Sequence, residues 1–396
     1  AMTGDVEGAR TGFERTRTLA LEAGEGELEA RATGSLGVLL DNTGRHEEGR
    51  PLLEHHLADA RRRGNARSEA IAACNLGLLL RHLGRRDDAR ALMNRHLELA
   101  VALGDPLLEA VAEGNLSLLA SDAGDTATSI VHLERNLELA RRSGSRRSEA
   151  VACTNLALDD AAVGRLDRAL ERLVHSRALT RELGDRASEG TTEWNLGATW
   201  TKVGRWDEAL PHYDRALTIL RATNDLRSVS GALLERSRVH DALGHEPHAR
   251  SDAEEALAVA RALGLPTLEA RVLIDLAGFA KRADDPTSAT ALLAQAEARL
   301  AGFDAPGVHA DLARGRGGLP DAVDRALAVA VPGARMPLRA ELLHHRWHLT
   351  GDPALLDEAR RLLALWLGHL PAALRDGVET RVPAFAAIRD GAPLPR

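Results

Sequence analysis

The residues best able to do chemistry in this sequence are a few histidines and two cysteines. His344 and His348 stand one helical turn apart, a spacing that can bind zinc, but no HExxH glutamate and no third ligand lies near them. Cys74 and Cys153 occur in no CxxC or other ligand spacing. The sequence also contains no GxxxxGK(S/T) loop and no GxSxG motif. It therefore favours neither an enzyme nor a metal or cofactor site.

Four asparagines recur at one spacing and form the most suggestive polar series, namely Asn75, Asn115, Asn155 and Asn195. A carboxamide both donates and accepts hydrogen bonds, so a row of them can hold a peptide backbone without reading its sequence. The same groups can instead bond to a neighbouring helix. Trp194 is large enough to serve as an anchor for a partner or as a core residue. Both alternatives stay open at this point.

Glycines predict the elements that carry these residues. One series runs from Gly4 to Gly244 every 40 residues, and a second lies 20 residues after it, with Asn224 in place of one glycine. Gly and Asn tolerate the left-handed backbone that ends a helix, so each repeat is predicted as two helices. First helices are expected near 28–42, 68–82, 108–122, 148–162, 188–202, 228–242 and 268–282. Second helices are expected near 46–63, 86–103, 126–143, 166–183, 206–223, 246–263 and 286–301.

Polar residues mark the start of the first helices. Glutamates such as Glu69 and Glu189 stand in the first turn, where a carboxylate complements the helix dipole. The serines just before them are predicted N-caps: Ser68, Ser148 and Ser188. The glutamates match a series of arginines by period, which predicts solvated ion pairs between repeats, each of little energetic value. These arginines are Arg61, Arg141, Arg181, Arg221 and Arg261.

The composition limits the class of protein and its partners. Aromatic residues make up 3% of the chain, while alanine, leucine, arginine and glutamate dominate, which favours an all-α fold. The net charge is −7 without a strongly basic domain, so no nucleic-acid partner is expected. No apolar stretch is long enough to span a membrane and no signal peptide is visible, so a cytoplasmic protein without a membrane partner is expected. Lysine occurs only at Lys202 and Lys281, which suggests a GC-rich bacterial genome.

The repeat predicts three regions. Residues 1–25 form a half repeat, 26–301 form seven repeats, and 302–396 form degenerate helical repeats and a C-terminal cap. Within the last region an irregular joint is expected at 302–320 and helices at 321–331, 337–349, 353–369 and after Pro371. Because Gly4 is in register with Gly44, the array begins in the middle of a repeat. This suggests a fragment of a larger protein; the alternative is that residues 5–23 are a capping helix.

Two segments carry a family resemblance, residues 68–105 and 188–225. Each has an NLG sequence followed by a G-R-x-D-(D/E)-A or closely related pattern at the start of the second helix. They resemble the 40-residue tetratricopeptide (TPR) repeat, as in Pins-type adaptors and the TPR regions of bacterial signalling proteins. The resemblance implies a right-handed TPR superhelix, an α-solenoid of antiparallel helix pairs.

In TPR proteins the first helices line a concave groove, and the resemblance places a set of partner-binding residues there. By helical angle Asn75 lies about 70° from the centre of that face, so a structural role for the asparagines remains an alternative. Ile71, Cys74, Val111 and Val151 are also expected to face inward. The partner-binding set is Asn75, Asn115, Asn155, Asn195, Trp194, Leu78, Arg81, His82, Leu118, Leu158 and Lys202.

The resemblance implies a protein- or peptide-binding module without a cofactor. It suggests the sensor or interaction region of a larger bacterial signalling or regulatory protein. The expected partner is a protein or peptide in the concave groove, or an effector domain of the same polypeptide. The alternative is a self-assembling structural scaffold.

Overall fold

The computed structural model describes residues 6–301, 336–375 and 377–392, together with residues 308, 311, 312, 315 and 327. All regular secondary structure within these residues is helical, which confirms the predicted all-α class. The chain divides into two compact units. Among the described helices, none combines the length and the apolar composition that crossing a membrane requires.

The first unit contains six helices and most of a seventh. They are α1 (Val6–Glu22), α2 (Gly26–Asn42), α3 (His46–Arg62), α4 (Ala66–His82), α5 (Arg86–Ala102), α6 (Pro106–Asp122) and α7 (Thr126–Arg142). Consecutive helices from α1 to α6 pack as antiparallel neighbours, because each is joined to the next by a three-residue turn. The first helices of the repeats, α2, α4 and α6, also contact one another in sequence.

The second unit contains the remaining repeats and the C-terminal helices. The repeat helices are α8 (Arg146–Ala162), α9 (Leu166–Glu182), α10 (Arg186–Thr201), α11 (Trp206–Ala222), α12 (Leu226–Ala242), α13 (Glu246–Ala262), α14 (Pro266–Arg282) and α15 (Pro286–Leu300). The C-terminal helices are α16 (Met336–Thr350), α17 (Pro353–His369), α18 (Ala372–Arg375), α19 (Val378–Arg381) and α20 (Pro383–Asp390). Consecutive helices from α8 to α15 pack as antiparallel pairs in tandem, as in the first unit.

The turns explain why the helices end where the glycine series predicted. Gly44 has a φ of 78°, its amide donates to the Asp41 carbonyl, and the Arg45 amide donates to the Leu40 carbonyl. These two bonds form the Schellman motif, which satisfies the last carbonyls of a helix. The same φ region recurs at the other turns, including Asn224 at 56° and Asp284 at 57°. The predicted helices of the repeats are confirmed with ends that differ by about two residues.

The predicted N-caps were wrong, because the capping residues at Asn65 and Asp185 lie three residues before the predicted serines. The first helices begin two residues earlier than expected, so Ser68 and Ser188 lie inside the first turn. The caps are Asn65, which accepts a hydrogen bond from the Ser68 amide, and Asp185, which accepts one from the Ser188 amide. Ser148 likewise lies inside α8. Each capping side chain follows the turn glycine directly, which shortens the loop to three residues.

The C-terminal helices pack against the repeats within the second unit. One core contains Leu166, Leu173 and Val203 from the repeats together with Trp366 and Phe385 from the C-terminal helices. The predicted helices at 337–349 and 353–369 are confirmed as α16 and α17. The predicted joint at 302–320 (apart from 308, 311, 312 and 315), the helix at 321–331 (apart from 327) and the register of Gly4 lie outside the described residues. The boundaries at 25 and 301, and the capping role of 302–396, stay predictions.

One turn glycine meets this C-terminal segment directly, which gives a test of the packing. A Cβ atom at Gly164 would lie 2.7 Å from the Trp366 carbonyl oxygen, whereas a Cβ at Gly244 would meet nothing within 4 Å. Both glycines have positive φ, so alanine costs about 1–2 kcal/mol at either position. We expect Gly164→Ala to lose about 1–3 kcal/mol more than Gly244→Ala, since the added methyl group is overpacked. Urea unfolding of the two variants measures the difference, and equal losses would contradict the packing.

Candidate functional site

Exposed apolar side chains occupy equivalent positions on the first helices of the first unit. Ile71 on α4 is 41% exposed and Val111 on α6 is 49% exposed. Asn75 and Asn115 follow one turn later on the same helix faces and are half-buried. Leu118 is also exposed. The first helices α4 and α6 thus each present an apolar side chain to water beside a carboxamide.

The second unit repeats the arrangement on its own first helices. Val151 and Leu158 on α8 are exposed, with the half-buried Asn155 between them in sequence. On α10 the position of Val151 is taken by Thr191, which is half-buried, and Asn195 follows it. The predicted apolar positions are therefore accessible on α8, whereas α10 presents a more polar version of the same pattern.

The four asparagines differ in their hydrogen bonds. One carboxamide is bonded to a neighbouring helix, and the others can still bond to a partner. Asn115 Nδ2 donates to Cys74 Sγ at 3.1 Å, so this member of the series joins two neighbouring first helices. Within the described residues the side chains of Asn75, Asn155 and Asn195 form no hydrogen bond. Those three carboxamides retain their donors and acceptors for water or a partner.

Cys74 does not face the groove as expected. It is buried, and burial raises the pKa of its thiol to about 11 against the opposing effect of the Asn115 hydrogen bond. The thiolate is therefore scarce at neutral pH, and this cysteine is a core residue with little nucleophilic reactivity. Ile71, three residues earlier and also expected to face the groove, is exposed.

The two basic residues predicted for the groove on α4 already have acidic partners. Arg81 forms a two-bond ion pair with Asp122 at the end of α6, with Arg81 Nη2 3.2 Å from Asp122 Oδ1. His82 Nδ1 lies 2.9 Å from Asp41 Oδ1, at the end of α2. Both contacts join neighbouring first helices, so these side chains have structural partners across the repeat boundary.

The remaining predicted residues are divided between core and surface. Leu78 is half-buried and packs against the core of the first unit. Trp194 is half-buried and packs between two cores of the second unit. Its ring lies so close to Gly231 on α12 that a Cβ there would come within 2.6 Å of Trp194 Cη2. Lys202 is exposed at the C-cap of α10.

A cleft of about 800 Å³ lies between α1, α2 and α4 of the first unit. Phe13, Val38 and Ile71 form part of its apolar lining, and Asn75 and Arg31 contribute polar groups. Arg31 is exposed and forms no ion pair within the described part of the chain. Apolar walls with a free carboxamide and a cation suit an extended peptide that offers apolar side chains and backbone groups.

The glutamates of the first helices form ion pairs, although their setting differs from the prediction. Arg61, Arg181 and Arg261 pair with Glu69, Glu189 and Glu269 as expected. These carboxylates are buried, so the expectation of solvated pairs was wrong. A further partner, which the repeat spacing did not predict, lies on the second helix, 26 residues after the glutamate. For Glu69 this partner is Arg95, at 3.0 Å. This partner is the principal reason why the pKa of Glu69 is lowered.

A fully buried carboxylate, Glu193 on α10, was not singled out from the sequence. It has no exposed surface and lies within 3.4 Å of Arg177, 3.2 Å of Arg181, 3.3 Å of Arg215 and 2.7 Å of His212. Burial opposes its charge, but the His212 hydrogen bond and the nearby guanidinium groups overcome this effect and lower its pKa to about 2. It therefore remains ionised and joins α9, α10 and α11.

The period contained a signal for this cluster. Glu113 and His132 stand 19 residues apart and form a hydrogen bond of 2.6 Å, as Glu193 and His212 do at 2.7 Å. The second pair lies 80 residues, or two repeats, after the first. A search for charged pairs that recur at this multiple of the repeat could have found both.

Comparison with known sequences identifies the repeat. A family model described as "Tetratricopeptide repeat" matches residues 28–102, 148–222 and 188–262. These segments of the chain therefore consist of tetratricopeptide repeats. The paired helices, the contacts between neighbouring first helices and the Schellman turns are its structural counterpart. No protein with a curated description matches the sequence.

Solved structures resemble this TPR chain in fold at low sequence identity. A Rap protein complexed with Competence and Sporulation Factor is 12% identical with a TM-score of 0.56, and the match covers 91% of this chain and 99% of that one. The Rap conjugation gene regulator of the plasmid pLS20, in complex with the Phr* peptide, is 13% identical with a TM-score of 0.53 and coverages of 85% and 93%. A signal transduction ATPase with numerous domains and a TPR sensor, from Pyrococcus horikoshii, is 14% identical with a TM-score of 0.57. That match covers 73% of this chain and 44% of the ATPase.

Proposed function

We propose that this chain is a peptide-binding TPR module that acts as the sensor or interaction region of a larger bacterial signalling or regulatory protein. The ligand is a protein segment or peptide that offers apolar side chains to the first helices. Its backbone hydrogen-bonds to the asparagine carboxamides. An effector domain of the same polypeptide could supply such a segment.

The observation that carries this proposal is the pairing of an exposed apolar residue with a half-buried asparagine one turn later. The pair occurs as Ile71 with Asn75, Val111 with Asn115, and Val151 with Asn155. Exposed valine and isoleucine gain free energy when a partner covers them, about 25 cal/mol for each Å² removed from water. A nearby free carboxamide satisfies the backbone groups that an extended peptide would otherwise bury unpaired.

The structural neighbours support the same class of ligand. The plasmid regulator of the Rap type is named as a complex with a peptide, and the Pyrococcus ATPase is named as having a TPR sensor. The 800 Å³ cleft of the first unit has the apolar and polar lining that a peptide segment needs. A sensor role accords with both neighbours, and a free adaptor would use the same surface.

The proposal is tested by selecting peptides from a displayed random library and measuring their affinity by fluorescence anisotropy. We expect Ile71→Asp to weaken the affinity for the selected peptide about tenfold or more, because a charge replaces an apolar contact. Asn75→Ala should weaken this affinity about three- to tenfold, which corresponds to the loss of one hydrogen bond. Asn75 is a sharper probe than Asn115, which already bonds to Cys74.

Val101→Asp is the matched control, since Val101 is an exposed apolar residue on the second helix α5 of the same unit. The affinity of this variant for the selected peptide should equal that of the wild-type chain. Equal weakening by Val101→Asp, or unchanged binding in both Ile71→Asp and Asn75→Ala, would refute the assignment. Failure to select any peptide, combined with concentration-dependent assembly in light scattering, would favour the self-assembling scaffold instead.

A further inference from the structure

A carboxylate and two imidazoles from three different helices converge in the first unit. Asp41 lies at the end of α2, His46 is the first residue of α3 and His82 is the last residue of α4. Asp41 Oδ1 lies 2.7 Å from His46 Nδ1 and 2.9 Å from His82 Nδ1. The two imidazole rings are 5.3 Å apart between centroids. The potential ligand atoms of these three residues all lie within 4.8 Å of one another.

We propose that Asp41, His46 and His82 form a binding site for a divalent first-row transition-metal ion, with Zn²⁺ as the best match. Imidazole nitrogen is a preferred ligand of zinc, copper and nickel, whereas magnesium and calcium prefer oxygen ligands alone. Two nitrogens and one carboxylate oxygen make a three-ligand set that leaves a fourth position for water or a partner group. This site goes beyond the peptide-binding function and does not depend on it.

The two oxygen–nitrogen distances require only a small adjustment to admit the ion. In a tetrahedral zinc site with bonds of about 2.0–2.1 Å, two ligand atoms lie about 3.3 Å apart. Each Nδ1 atom would therefore move about half an ångström away from the Asp41 oxygen. The carboxylate is buried, which fixes its position, while the two imidazoles are partly exposed at helix ends. Because both rings are partly exposed, an ion can approach them from solvent.

The ligand set is particular to this repeat boundary. In the next repeat Arg81 stands where Asp41 does and Asp122 where His82 does, and the two form an ion pair. In the second unit Asp241 and Arg282 occupy the positions of Asp41 and His82 and lie 2.6 Å apart. A full cation thus balances the carboxylate at each of those boundaries. At Asp41 two imidazoles stand in place of that cation, and imidazoles are neutral when they act as metal ligands. A bound divalent ion would then supply the positive charge that balances the carboxylate.

The other histidine groups of the described chain are less suited. His240, His245 and His248 have ring centroids 5.3–6.2 Å apart, but their ligand atoms do not converge within the distance that the Asp41 set meets. His344 is buried against His348 and has no carboxylate ligand in the same cluster. The first of these groups provides a natural control.

The test is isothermal titration of the full chain with ZnCl₂ at pH 7.5, repeated for His46→Gln, His82→Gln and the control His248→Gln. We expect one saturable Zn²⁺ per chain, at least tenfold weaker binding in the first two variants and unchanged binding in the control. Binding should also weaken at pH 5.5, because a protonated imidazole is not a ligand. Titration with Co²⁺ adds a structural readout, since tetrahedral coordination gives an intense visible absorption that His82→Gln should abolish.

Two results would overturn the site. One is the absence of saturable Zn²⁺ binding by the wild-type chain, which would leave Asp41 as a hydrogen-bond acceptor only. The other is unchanged affinity in both His46→Gln and His82→Gln, or a loss in His248→Gln alone. Thermal melting without metal establishes that each variant is folded. If either ligand variant does not fold, the other decides the question, because His46 and His82 lie on different helices.

Discussion

Replacing His344 by leucine is expected to raise the stability of the second unit in acid by about 2–3 kcal/mol. His344 lies on α16 and has no exposed surface. Within the described residues neither of its ring nitrogens has a hydrogen-bond partner. Burial lowers its pKa to about 4, and repulsion from His348, His345 and Arg360 adds to the effect.

The direction of the pH effect follows from linkage. The unfolded chain binds a proton at His344 near pH 6.5, whereas the folded chain resists it until about pH 4. The unfolded state therefore gains protons first as the pH falls, and folding loses free energy between pH 6.5 and 4. A shift of this size corresponds to about 3 kcal/mol at 1.36 kcal/mol for each pH unit. Leucine does not titrate, so this loss should disappear.

Urea unfolding at pH 7, 5.5 and 4.5 measures the difference. At pH 7 the leucine variant should be at least as stable as the wild-type chain, because two unpartnered buried nitrogens are removed. The control is His348→Gln, which removes an exposed imidazole one turn away and should keep most of the wild-type pH dependence, because burial is the principal cause of the lowered pKa of His344. Equal pH dependence in the wild-type chain and His344→Leu would contradict the buried neutral imidazole.

Replacing Glu193 by glutamine is expected to cost about 3 kcal/mol at pH 7. The substitution leaves Arg177, Arg181 and Arg215 without their shared counter-ion at the junction of α9, α10 and α11. Breaking a buried ion pair by removing one partner costs about 3–5 kcal/mol, and the partial exposure of these arginines lowers that figure. The matched variant is Glu113→Gln, whose carboxylate accepts a hydrogen bond from His132 alone within the described part of the chain. Its loss should be about 1 kcal/mol.

The same carboxylate predicts a second acid transition. The folded-state pKa of Glu193 is about 2 and its ordinary value is 4.5, so its stabilisation is complete above pH 4.5 and is lost as the pH falls toward 2. Glu193→Gln should therefore be less stable than the wild-type chain at pH 7 and equally stable near pH 2. Chemical unfolding at both pH values checks this. A difference that persists at pH 2 would assign the cost to packing and contradict the electrostatic account.

The sequence predicted the helices of the repeats well because one physical requirement recurs at a fixed spacing. The residue that ends each helix must adopt the left-handed backbone conformation, which Gly, Asn and Asp tolerate best. Gly44, Asn224 and Asp284 all have this conformation. The N-caps were misplaced because serine and aspartate satisfy the same preference, and the sequence does not show which of them precedes the first turn. Asp185, which directly follows a turn glycine, proved to be the cap.

The site was harder to predict because its contacts join residues that are distant along the chain. Asp41 and His82 are 41 residues apart, so no short motif connects them. The packing of Trp366 against the Gly164 turn has no period at all, since α17 lies outside the repeat. The exposure of Ile71 followed from helical periodicity, whereas Cys74, which was also expected to face the groove, is buried. Periodic features can be read from sequence, and contacts between unlike segments require the fold.

The most direct test of the central claim, that the first helices bind a peptide, is site-specific photo-crosslinking. Benzoylphenylalanine is placed at Val111 on the first helix α6 or at Val131 on the second helix α7, both of which are exposed. The selected peptide is added and the crosslinked products are counted by mass spectrometry. We expect crosslinks from position 111, lost on adding unlabelled peptide, and none above background from position 131. Equal crosslinking at both positions, or crosslinking at 131 alone, would contradict the account.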